Sequence, residues 1–184
     1  MTSTILITGG CRSGKSSHAL TLASQVEGPR KLFVATCVAG DHEMRQRVRR
    51  HQKERGPEWQ TLEEPVDLVR AIELHGPRSD LILVDCLTLW VSNMMAAGAD
   101  ETAFLGKLEK LRQTASHPPC PLIFVTNEVG AGIVPENPLA RRFRDFSGWT
   151  NQRMAAACDT VIWMVAGIAV PVKSPTASSG KRMA

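Results

Sequence analysis

Residues 9–16 read GGCRSGKS, directly behind the apolar run TILIT and directly ahead of a stretch with helical character. Gly9, Gly14, Lys15 and Ser16 satisfy G-x-x-x-x-G-K-S, the pattern of a loop that wraps a phosphate. Its glycines let the backbone curl until several N–H groups point inward. Lys15 then neutralises the β and γ oxygens, and the Ser16 hydroxyl is a ligand for Mg2+. The helix opening at Gly14 adds the positive end of its dipole. A glycine-rich turn with a chance lysine would carry the same letters. Here, however, the pattern lies between a strand and a helix, as phosphate binding requires. A chain built on this unit must supply a parallel strand before the loop and a helix after it.

The rest of the sequence extends that unit. Apolar runs at 3–8, 31–37, 80–86, 121–130 and 160–167 are short, rich in Ile, Val, Leu and Phe, and show little polar alternation, so they predict strands buried on both faces. Helical patterns fall at about 14–26, 41–55, 66–75, 87–97, 101–116 and 138–157, with Asp41 and Asp100 as N-caps of the second and fifth. Strands alternating with helices imply an α/β fold, a mainly parallel sheet with helices on both faces in the manner of P-loop NTPases. Residues 170–174, VPVKS, fit a short edge strand, where Pro171 is tolerated. Residues 1–173 are expected to form a single nucleotide-binding catalytic domain. The tail 174–184 has no hydrophobic period and is expected to be disordered.

Composition narrows the function classes. A formal charge of +4 allows an anionic ligand without requiring nucleic acid. The absence of tyrosine, with aromatics at 5%, leaves few platforms for stacking bases. The five cysteines show no CxxC pair, so no zinc site or disulfide framework is expected. Their odd number fits a reducing compartment, and no run approaches the ~20 apolar residues of a membrane span. The cytoplasm is the expected location.

Three further positions carry possible chemistry. LILVD places Asp85 at the end of an apolar strand, suited to hold Mg2+ or to cap the next helix. Glu128, at the end of another strand, is a candidate for nucleotide or acceptor contacts. On the predicted helix 41–55, Met44, Val48, His51 and Arg55 share one face amid Arg45, Arg47, Arg49, Arg50 and Lys53. Neighbouring cations favour a neutral imidazole, which can attack phosphorus while guanidiniums hold its oxygens. A solvated basic face is the alternative. His18 and His42 lie near candidate segments without comparable company, and His75 and His117 fit helix-end surface positions.

GGCRSGKS, FVATC, RVRRHQKER with Trp59, VDCLTLWVSN and the block TNEVGAGIVPENPLARRFRDFSGWTNQRMAAACDTV together resemble one family, from Thr4 to about Lys173. It is the bifunctional adenosylcobinamide kinase/adenosylcobinamide-phosphate guanylyltransferase family of cobalamin biosynthesis. Gly56–Pro57, Trp149 and Thr150 depart from its usual pattern without touching the P-loop, Asp85 or His51.

The resemblance implies two reactions. ATP or GTP phosphorylates the aminopropanol hydroxyl of the corrinoid adenosylcobinamide; GTP then gives GMP to that phosphate, yielding adenosylcobinamide-GDP and pyrophosphate. It implies that His51 is covalently guanylylated, with Lys15 and Asp85 the other catalytic residues. It places nucleotide contacts at Gly9, Gly10, Cys11, Arg12, Ser13, Gly14, Lys15 and Ser16. Further contacts fall at Ala35, Thr36 and Cys37, at Gln52, Lys53, Glu54 and Arg55, and at Glu63 and Asp85, with Ser16 and Asp85 on Mg2+. A carboxylate such as Glu63 would accept from guanine N1–H and N2–H2. A homo-oligomer is implied as well; Trp90, Met94 and Met95 serve either its contact or the helix core. Two other classes stand beside this one: a P-loop kinase of another small molecule without a covalent histidine, and a basic P-loop ATPase acting on nucleic acid.

Overall fold

Alternate residues of the central strands face opposite ways, and the two sets of side chains build two separate cores. A computed structural model describes residues 3–37, 56 and 58–175. Its strands are β1 (Thr4–Gly9), β2 (Lys31–Ala35), β3 (Trp59–Glu63), β4 (Leu81–Asp85), β5 (Leu122–Val125), β6 (Thr160–Val165) and β7 (Ile168–Lys173). Its helices are α1 (Lys15–Ser24), α2 (Leu68–His75), α3 (Leu87–Ala96), α4 (Glu101–Ser116) and α5 (Pro138–Ala157). The strands form one sheet in the order β3-β2-β4-β5-β1-β6-β7. Every neighbouring pair is parallel except β6 and β7, which close an antiparallel hairpin at the edge. The expected α/β P-loop architecture is the one observed.

On one face Leu6, Val34, Ile82, Val84, Leu122 and Phe124 meet α2, α3, α4 and α5. On the other, Ile7, Phe33, Leu83, Ile123 and Val125 meet Ala19 and Ala23 of α1. Burial on both faces explains the unbroken apolar runs. The first core is anchored by an aromatic column: Trp90, Phe104, Phe146 and Trp149 follow one another with ring centroids 5.7, 4.2 and 5.6 Å apart. The Trp90 indole N–H donates to the Val66 carbonyl at 2.8 Å. Trp90 and Met94 therefore belong to the core, at 1% and 2% exposure, with Met95 packed against it.

The element ends follow local chemistry. Asp100 caps α4 as expected, accepting from the Ala103 N–H at 2.8 Å, and Asn137 caps α5 ahead of Pro138. Lys173 donates from Nζ to the carbonyls of Ala155, Ala156 and Cys158, so the last residue of β7 satisfies the open end of α5. The edge strand holding Pro171 is longer than expected, Ile168–Lys173. Strand β3 was not anticipated: among the described residues WQTLE pairs only with β2, and it is nowhere fully buried, so it lacks the apolar run that marks the other strands. The run 121–130 ends as strand at Val125. The helix expected at 41–55, with its cap Asp41, and residues 176–184 of the tail lie outside the described residues.

Candidate functional site

Parallel strands carry their carboxyl ends to one side of the sheet, where ligands of open α/β folds bind. At that side β1 opens into the loop 9–16, whose shape depends on its glycines. Gly9 has φ +151° and any side chain there would run into the Met164 carbonyl; Gly14, at φ +93°, is the left-handed residue before α1. Arg12, at φ +54°, makes the other left-handed turn. The loop is pinned from behind: the Gly167 N–H in the β6–β7 turn donates to the Ser13 carbonyl at 3.2 Å.

Lys15 starts α1 and folds back into the curl. Its Nζ donates to the Gly10 carbonyl at 2.5 Å and to Ser13 Oγ at 3.4 Å, and the residue is 7% exposed. Burial lowers its pKa, while Cys86, Asp85 and Cys11 act in the opposite direction. One residue on, the Ser16 hydroxyl donates to Asp85 Oδ2 at 2.8 Å. The loop and the end of β4 are thus joined at the two side chains expected to hold Mg2+. A hydroxyl and a carboxylate are the hard oxygen donors that ion prefers, and it takes its remaining ligands from water and phosphate rather than from a large protein cluster.

Asp85 is itself held in place by Thr36. The Thr36 N–H donates to the Asp85 carbonyl at 3.1 Å. Its hydroxyl donates to the Cys86 carbonyl and accepts from the Cys86 N–H, both at 2.8 Å. Asn93 of α3 donates to the Thr36 carbonyl at 2.8 Å and to that of Pro65 at 3.0 Å. Thr36 is fully buried, so its hydroxyl faces the Asp85–Cys86 connection. Cys86, pushed up to about 11 chiefly by burial, is a protonated thiol and part of the packing.

Register aligns the remaining candidates. Ala35 pairs with Glu63 on one side and Asp85 on the other, and Asp85 pairs with Val125 of β5. Exposed Glu63 therefore stands level with Asp85, two strands away, about 10 Å at ordinary strand spacing. Gly10, Cys11 and Arg12 are exposed on the loop, Ser13 and Ala35 are buried, and Cys37 is half-buried. His51, Gln52, Lys53, Glu54, Arg55 and His42 lie outside the described residues.

Sequence reasoning missed a polar network behind β5. Thr88 and Thr126 hydroxyls lie 3.3 Å apart, Thr126 donates to Asn151 Oδ1 at 2.7 Å, and Asn151 donates to the Asn127 carbonyl at 3.0 Å. Thr88 also accepts from the Asn127 N–H at 2.7 Å. These bonds hold the chain as it leaves the sheet toward Glu128, whose N–H donates to the Gly9 carbonyl at 3.0 Å. The only signal in the sequence was the small polar residues Thr88 and Thr126 just beyond the apolar runs of β4 and β5.

Known proteins share this fold, and some share much of the sequence. Solved structures similar in fold include flagellar accessory protein FlaH from Methanocaldococcus jannaschii, with TM-score 0.50 and 12% identity over 94% of this chain and 79% of that one. Another is PH0250 of Pyrococcus horikoshii OT3, with TM-score 0.58 and 8% identity over 94% and 86%. In sequence, the chain is 40% identical to the bifunctional adenosylcobalamin biosynthesis protein CobP of Pseudomonas aeruginosa, over 91% of this chain and 96% of that one. It is also 40% identical to the bifunctional adenosylcobalamin biosynthesis protein CobU of Salmonella typhimurium, over 92% and 99%. The model of the cobinamide kinase / cobinamide phosphate guanyltransferase family matches residues 5–172, and this chain, with its P-loop closed on Asp85, belongs to that family of enzymes.

Proposed function

We propose that the chain phosphorylates adenosylcobinamide with ATP or GTP and then transfers GMP from GTP to the product through a guanylyl-His51 intermediate. The observation that carries the reading is the 2.8 Å contact of Ser16 with Asp85 beside the buried Lys15. It gathers a hydroxyl, a carboxylate and a cation where a triphosphate would lie against the loop N–H groups. Ser16 and Asp85 would hold Mg2+, which screens phosphate charge when bound. Lys15 holds β and γ oxygens, Ala35 to Cys37 and Glu63 border the nucleoside, and the loop from Gly9 to Ser16 fixes the triphosphate in line for attack. In the second reaction His51 displaces pyrophosphate from the α-phosphorus, forming a phosphorus–nitrogen bond. The acceptor phosphate then displaces the imidazole and takes the GMP. Two steps through a covalent intermediate replace one harder transfer. Gln52, Lys53, Glu54 and Arg55 accompany His51 in nucleotide binding.

We also propose a cytoplasmic homo-oligomer. An uncharged strip of exposed side chains on β6 and β7 (Trp163, Val165, Ile168, Val170, Val172) supports that reading better than the buried Trp90 and Met94. Among the described residues no helix is long and apolar enough to cross a membrane.

The experiment is labelling with α-labelled GTP in the absence of corrinoid. A phosphorus–nitrogen bond to imidazole is lost in acid and survives alkali, opposite to a serine ester. The label should show that behaviour and be absent from His51→Asn, with GTP binding retained as the control. Label that persists in His51→Asn places the GMP on another residue. No label on the wild-type chain favours the kinase without a covalent histidine.

A further inference from the structure

We infer that Glu128 is the general base that takes the proton from the acceptor hydroxyl in the phosphorylation step; the assignment rests on the two-reaction reading above. Strand β5 lies between β4, which ends in Asp85, and β1, which opens into the phosphate loop. The chain leaving β5 stays in contact with that loop, since the Glu128 N–H donates to the Gly9 carbonyl at 3.0 Å. Among the described residues, the other carboxylates at the same ends of the strands are committed or remote. Asp85 accepts from Ser16, and Glu63 and Glu64 lie at the end of the far edge strand.

Glu128 is exposed, and its direction is set by its own turn. Oε1 accepts from the Gly130 N–H at 2.7 Å, while Arg144 of α5 donates to the Gly130 carbonyl at 2.6 Å. One carboxylate oxygen is thereby anchored and the other is available to a ligand. The loop that Glu128 begins then carries Ile133 and Val134 at 96% and 63% exposure, with Leu139 at 65% at the start of α5. Such a surface suits an acceptor with a broad apolar body and one reactive hydroxyl.

The chemistry separates the two reactions. An alcohol must lose a proton as its oxygen bonds to the γ-phosphorus. That proton passes to the free oxygen of Glu128, the bond from the γ-phosphorus to the β,γ-bridging oxygen breaks, and nucleoside diphosphate leaves with the electron pair. The acceptor of GMP is a phosphate already ionised at neutral pH, and it needs no base. Removing a positioned base typically costs 10²- to 10⁴-fold.

Glu128→Gln keeps an oxygen for the Gly130 N–H and loses basicity. The variant is assayed for phosphorylation of adenosylcobinamide, and separately for GMP transfer from GTP to presynthesised adenosylcobinamide phosphate. Phosphorylation should fall by about 10²-fold, with transfer close to wild type. The retained transfer also certifies that the variant is folded and binds nucleotide. Equal loss of both activities would mean that Glu128 supports the loop or the nucleotide, and unchanged phosphorylation would mean that it is no base; either overturns the assignment. A wild-type chain that cannot phosphorylate adenosylcobinamide fails at the earlier reading, before any variant is compared.

Discussion

Thr36→Val tests whether the position of Asp85 is maintained by a single buried hydroxyl. Valine has nearly the same shape, so the change removes hydrogen bonds without opening a cavity. The Cys86 N–H loses its 2.8 Å acceptor in a region where both residues are buried, and an orphaned buried donor costs about 1–3 kcal/mol. The Cys86 carbonyl loses a 2.8 Å donor but keeps the Trp90 N–H at 3.1 Å, so about 0.5–1 kcal/mol is added there. The extra methyl, buried in place of the hydroxyl, offsets up to about 0.8 kcal/mol. The net expectation is a loss of about 2 kcal/mol, a sizeable share of the 5–15 kcal/mol typical of whole domains. Urea unfolding should show a lower midpoint at unchanged slope. Thr36→Ser keeps both bonds and gives up one methyl, about 0.8 kcal/mol. Activity should follow the same order, because Asp85 is carried on the bond network that serine retains. A valine variant as stable and active as wild type, or a serine variant as damaged as valine, would refute the reasoning.

Two other substitutions separate binding of the triphosphate from binding of the metal. Lys15→Ala should depress phosphorylation and GMP transfer together, by at least the ~10²-fold typical of losing one preorganised electrostatic contact; a normal phosphorylation rate would show that residues 9–16 are not the phosphate loop. Asp85→Asn keeps an oxygen that can accept from Ser16 and so preserves the fold, but it should shift the Mg2+ titration of activity to higher concentration. An unchanged titration would leave Asp85 as a structural partner of Ser16.

Much of the fold was legible because burial on both faces leaves a one-dimensional trace. Strands β1, β2, β4 and β5 are each flanked by two others and enclosed above and below, so they appear as uninterrupted apolar runs; β6 is equally apolar, yet it exposes Trp163 and Val165 on one face. Among the described residues strand β3 has one neighbour, and its own residues are half-buried or exposed throughout, so WQTLE resembles a polar loop; pairing with β2 makes it a strand. The end of β5 was misplaced as well. The run 121–130 takes in TNEVG beyond Val125, which is mostly polar; there the backbone still bonds to β1, while the Thr88 hydroxyl and the Asn151 amide hold Asn127 on its other side. Long-range side-chain bonds of this kind leave no periodicity.

The same distinction divides the site. The loop 9–16 is legible because its glycines are fixed by backbone conformation, a requirement local to the sequence. The join of Ser16 to Asp85 spans 69 residues and was reached only by asking what a phosphate loop needs beside it. Thr36 shows the limit of that approach. It stands in FVATC and is itself expected at the nucleotide, yet its hydroxyl is spent on Cys86, 50 positions along the chain. Proximity in sequence to a binding loop told where Thr36 is, and the direction of its side chain was decided by the unmet backbone groups of the neighbouring strand end. Glu128 is the converse case: the backbone is tied to Gly9 and one carboxylate oxygen to Gly130, so the demands of the fold are met before the side chain is used up. A polar group with capacity left over at the mouth of a phosphate loop has chemistry available to it that Thr36 does not.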